Sequence, residues 1–128
     1  MKKKAQSAME FLVISASVIF FFTMFFVVIQ KNVLDKEKEQ EVVVVEELAL
    51  SIKDEIGIAL GASDGYSREF NIPDNIFGRD YEVTLIDNST IYVKSAISAI
   101  SLSTGRVEGN VKKGVNVIKK ENGTVYLN

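Results

Sequence analysis

From Phe11 to Ile29 the chain runs nineteen residues without a charge. Only Ser15, Ser17 and Thr23 relieve the apolar character of this run, and as a helix it is roughly 28 Å long, close to the hydrocarbon thickness of a bilayer. Such a segment needs lipid or other apolar helices around it. What remains, Gln30 to Asn128, is about a hundred residues, enough for one modest domain.

The rest of the composition mostly excludes. With no cysteine there is no disulfide framework, so the outer domain has to be held by packing and hydrogen bonds. With no histidine there is no imidazole base, no Ser/His/Asp arrangement and almost no route to a zinc or copper site. No catalytic residue, metal ligand or cofactor-binding residue is therefore assigned, and the chain is not expected to be an enzyme. The net charge of −2 and the two short pairs Lys112-Lys113 and Lys119-Lys120 make no track for nucleic acid.

After the apolar run comes DKEKEQE, Asp35 to Glu41, with charges spaced to suit a solvated helix. Beyond it Glu41, Val45, Leu48, Ile52, Ile56 and Ala59 recur at three or four residues, an apolar stripe begun by one acid. No proline or glycine intervenes before Gly57. The pattern predicts one helix over 6–60, roughly 80 Å long, with a transmembrane first half and an amphipathic second half that lies on a small domain. Gly61 or Gly65 is expected to close it.

The remainder, 61–128, reads as β-rich. Tyr81, Val83 and Leu85 alternate with polar residues, Asp87-Asn88 make a turn, and Ile91 and Val93 resume: a hairpin. Val117–Lys120 and Thr124–Leu127 form a second hairpin around Asn122-Gly123. Ala96–Ser103 reads as a further strand and Arg106–Lys112 as another, while Pro73 falls in a loop. The fold expected is α+β: a long N-terminal helix followed by five or six short antiparallel strands in a small sheet or sandwich head. Asn88-Ser89-Thr90 and Asn122-Gly123-Thr124 fit the N-glycosylation acceptor pattern, both in predicted turns.

The N-terminus holds the functional signal. Lys2, Lys3 and Lys4 precede the apolar run, but the run is longer than a secretory core, and Gln30, Lys31 and Asn32 after it offer no small-residue cleavage site. The small residue beside the lysines is Ala5, in front of the run. Glu10 stands at the mouth of that run, where an unpaired carboxylate entering hydrocarbon costs several kcal/mol, so a partner is expected for it.

A short basic leader, Ala5, Gln6, Glu10 and an uncharged helix in this order resemble the N-terminus of type IV pilins, most closely the archaeal pilin-like subunits with a class III signal peptide. In that pattern the leader ends at Gly or Ala, Gln comes first in the mature chain and Glu fifth. Here the third position is Ala8 where the pattern often has Ser, and the ninth is Ile14 where it has Leu. The resemblance covers about the first thirty residues.

The resemblance implies that residues 1–5 are a leader cut between Ala5 and Gln6 by a prepilin-type peptidase, and that Gln6 and Glu10 are assembly residues. The new α-amino group of Gln6 would pair with Glu10 of a neighbouring subunit, and helices packed over 11–29 would form a homopolymer. A leader peptidase, a cytoplasmic assembly ATPase and a membrane platform protein are the partners implied. The precursor is expected in the cell membrane as a single span with a cytoplasmic N-terminus. The mature protein is expected in an extracellular filament for surface adhesion, or as a minor pilin or an archaellum-like motility subunit. A contrasting reading is a monomeric, single-span membrane-anchored binding or sensor domain that keeps its leader. A membrane-tethered hydrolase would need a pocket of convergent acids.

Overall fold

The computed structural model describes the whole chain, Met1–Asn128. It contains one helix, α1 (Lys2–Gly61), followed by seven strands: β1 (Ser67–Ile72), β2 (Glu82–Ile86), β3 (Thr90–Lys94), β4 (Ala99–Ser103), β5 (Val107–Gly109), β6 (Gly114–Glu121) and β7 (Thr124–Leu127). This is the α+β architecture expected, a long N-terminal helix and a β head. Two compact units result, Met1–Glu37 and Lys38–Asn128, and α1 contributes to both. The helix begins four residues earlier than the pattern predicts, because Lys2 to Gln6 contain no glycine or proline to stop it.

In the first unit no side chain of the apolar run is buried within the chain; Phe11 is 73% and Phe22 71% exposed. Two of the three hydroxyls in the run, those of Ser17 and Thr23, are absorbed by the helix itself. Ser17 donates to the Val13 carbonyl and Thr23 to the Ile19 carbonyl, each at 2.8 Å.

In the second unit α1 buries Glu41, Val45, Ala49, Ile52, Ile56 and Ala59. Ala49, rather than Leu48, completes the innermost row; Leu48 is half-buried beside it. Alanines at 49 and 59 are fully buried in this face. The four valines 42–45 are helical despite their propensity, since Val45 and the stripe it begins gain more from burial than branching costs.

The strands form two sheets. One has the order β1-β6-β7-β5 and the other the order β2-β3-β4. Both expected hairpins are present. β2 meets β3 around Asp87 and Asn88, whose φ angles are 51° and 56°, and β6 meets β7 around Asn122 and Gly123, at 50° and 76°. Ile72, Ile91, Val93, Val107, Ile118, Val125 and Leu127 join the helical stripe in one core.

The pairing is not antiparallel throughout. β7 inserts between β6 and β5, antiparallel to the first and parallel to the second, with Val107 opposite Val125 and Gly109 opposite Leu127. Gly109 has φ +108°, and a Cβ there would lie 2.1 Å from the Leu127 carbonyl oxygen. The predicted strands at 96–103 and 106–112 shorten to β4 and β5.

The helix is stopped by tertiary contact. Gly61 is not left-handed; Gly65 is, at φ +90°. The unpaired carbonyls of Leu60 and Ala62 accept from Lys120 Nζ at 2.6 and 2.8 Å, so an ammonium from β6 caps the negative end of α1. Asp64 Oδ1 accepts from the Gly123 N–H at 2.8 Å, tying the helix exit to the β6–β7 turn.

Candidate functional site

The N-terminal residues singled out by sequence lie on consecutive turns of α1. Lys2, Lys3, Lys4, Ala5, Gln6 and Glu10 are all exposed. The Ala5–Gln6 bond lies in the first turns of the helix, where most N–H groups lack a carbonyl to bond; Ala5 N–H reaches the Met1 carbonyl at 3.3 Å. This end is the part of α1 with least to hold it, and residues 2–5 are continuous with the rest of the helix.

Gln6 and Glu10 share a face at a spacing of four. Gln6 Nε2 donates to Glu10 Oε1 at 3.3 Å, and no lysine or arginine of the chain pairs with this carboxylate. One carboxylate oxygen is lightly engaged by a neutral amide and the other has no partner in the chain, immediately before nineteen uncharged residues. A cation is what this geometry lacks.

The head contains an ion pair that the sequence did not disclose. Glu41 is 1% exposed, and its Oε2 accepts from Arg79 Nη1 at 2.9 Å, while Oε1 has no partner. Arg79 closes a tight turn with Ile76 through N–H···O bonds of 2.9 and 3.0 Å in the two directions. Phe77 sits at the tip of that turn, exposed and at φ +50°. The acid at the start of an apolar stripe was the available signal; its partner, 38 residues away, has no local signature.

Other polar groups are structural. Tyr81 is buried and donates its hydroxyl to the Pro73 carbonyl, with Lys113 over its ring at 4.7 Å. Burial, with the nearby Asp74 and Asp80 carboxylates, pushes the Tyr81 phenol up to about 12. The hydrogen bond and charge of Lys113 hold the exposed Asp80 below the usual carboxylate value. Asn116 is fully buried with every amide group engaged, joining Lys112, Gly114 and Asn128.

The two sequons differ. Asn88 is half-buried and donates its amide to Glu108 Oε2 at 3.2 Å, whereas Asn122 is exposed at a hairpin tip and its side chain makes no hydrogen bond within the chain. No group of three or more acidic residues is arranged to hold a metal ion. Near the N-terminus the chain has one helix long and apolar enough to cross a membrane. Comparison with family profiles, with curated proteins and with solved structures returns no match.

Proposed function

We propose that the chain is a structural subunit of an extracellular filament of the type IV pilus kind, held in the membrane as a precursor, cleaved between Ala5 and Gln6, and polymerised through α1. The observation that carries this reading is Glu10: an exposed carboxylate without a cation in its own chain, four residues after Gln6 and directly before an uncovered apolar face.

Cleavage would supply the missing cation. Removing residues 1–5 discards three lysines and creates an α-ammonium on Gln6, and a neighbouring helix sliding alongside brings that ammonium to the free side of Glu10. Pairing in an apolar surround fixes axial register, because any other offset strands a charge at a cost of about 3 to 5 kcal/mol. The phenylalanines then exchange lipid for neighbouring helices, and since one patch meets a different patch on the next subunit, the association stays open and builds a fibre. The chain catalyses no reaction in this role. A prepilin-type peptidase, an assembly ATPase and a membrane platform protein are the partners proposed, and adhesion is the use proposed for the exposed head.

Intact mass and N-terminal sequencing of the protein from its native membrane test the reading. A mature start at Gln6 is expected. A start at Met1 would leave a monomeric anchor in its place, and a start beyond Ile29 would remove the span from the mature protein altogether.

A further inference from the structure

β4 is an open edge of the three-stranded sheet, and its composition sets it apart from the other edges. Its inner side pairs with β3, Ser101 facing Tyr92, while its outer N–H and C=O groups meet no group of the chain. β1 carries Arg68 and Glu69, β5 is three residues long and carries Glu108, and β2 carries Glu82 and has its Leu85 N–H taken by Asn110 Oδ1 at 3.2 Å. These are the usual protections of a free edge. β4 has none of them: Ser95 to Thr104 contains no charge and no proline. The strand's entry is also rigid, since Ser95 Oγ accepts from the N–H groups of Ile97 and Ser98 at 3.2 and 3.1 Å.

We propose that β4 is a homotypic docking edge, pairing antiparallel with β4 of a second copy about a two-fold axis at Ser101. Like-with-like pairing sets every side chain against the same short sequence, so charges would repel, and this edge alone has none. With Ser101 opposite itself, Ala99 faces Ser103 and Ile100 faces Leu102. Small polar residues meet on the outer face. On the inner face Ile100 and Leu102, each only half-buried at the sheet margin, cover one another across the joint. Two three-stranded sheets become one of six. The pairing joins heads and requires neither leader cleavage nor contact between helices, so it stands apart from the filament reading.

The chain has no native cysteine, which makes register testable in the full-length protein in membranes. Facing Cα atoms of an antiparallel pair lie about 4.5 to 5.5 Å apart, within disulfide reach, whereas a residue two positions from the axis lies about 13 Å from its own copy. S101C is expected to cross-link to itself, A99C to cross-link to S103C when the two are co-expressed, and neither A99C nor S103C to cross-link alone. Placing S101K in both partners of the A99C/S103C pair is expected to lower its yield several-fold, and combining S101K with S101E to restore it. Failure of S101C to cross-link, equal cross-linking by A99C alone, or indifference to the lysine overturns the proposal. Ser101 is exposed, so these substitutions leave the core intact.

Discussion

At the scale of single residues, Glu10 and Glu41 are carboxylates that an apolar setting ought to reject, and they have different remedies. Glu10 has only a neutral amide beside it, and the remedy proposed is intermolecular. Glu10→Gln is expected to leave the start at Gln6 unchanged while lowering polymer yield by more than about a hundredfold, as judged by sedimentation of filaments against membrane-bound subunit. Polymer formation at the wild-type level would sink the pairing. Glu41 is met inside its own unit by Arg79. Arg79→Ala strands a buried acid and is expected to destabilise the head by about 3 kcal/mol in thermal or denaturant unfolding. The double variant with Glu41→Leu recovers most of that loss, because the stripe then continues without a charge. A third prediction concerns alkali. The folded Tyr81 phenol titrates near 12, above its ordinary value of 10.0, so its contribution is intact below pH 10 and disappears as pH rises towards 12. Stability is expected to fall across that window by at most about 1.4 kcal/mol per pH unit, and Tyr81→Phe to flatten the slope.

At the scale of elements, helix α1 and the two hairpins were legible because each carries its own period and its own turn chemistry. Val45, Ile52 and Ile56 mark one face of α1, and Asn122-Gly123 supplies the positive φ angles of its turn directly. β1 was not legible. In SREFNI, Arg68, Phe70 and Ile72 share a face, but Arg68 leans on Glu55 of α1 at 3.5 Å and only Ile72 is fully buried, which leaves a weak alternation. The parallel β5–β7 pair was equally hidden, since it depends on β7 entering between β5 and β6, which follow one another along the chain but are not neighbours in the sheet. Glycines separate the local from the tertiary here. Gly57→Ala meets open space inside a helix and is expected to stabilise the head by about 1 kcal/mol. Gly109→Ala, which collides with the Leu127 backbone at a left-handed position, is expected to cost about 3 kcal/mol or more. Unfolding midpoints that rank the two variants the other way would refute this account of the β5–β7 contact.

At the scale of the whole molecule, the chain combines a helix segment without internal cover and a head with a complete core. The head's outer features are then decided by which turns stay free. Asn88 is engaged with Glu108 and Asn122 is not. In a host that modifies folded proteins at Asn-X-Ser/Thr, peptide mapping is expected to find glycan on Asn122 and none on Asn88; the opposite pattern would mean that modification precedes folding of the β2–β3 hairpin. Both sites, and the helix, were marked by short local patterns. By itself the sequence determined the long apolar run, the three lysines before it with Gln6 and Glu10, the amphipathic stripe and the two tight turns, because each depends on residues within a few positions of one another. Only the tertiary structure decided that Arg79 answers Glu41, that Lys120 ends α1, that β7 runs parallel to β5 and that β4 is left open, because each depends on which distant segments share a surface, and chain closure over such separations leaves no local periodicity behind.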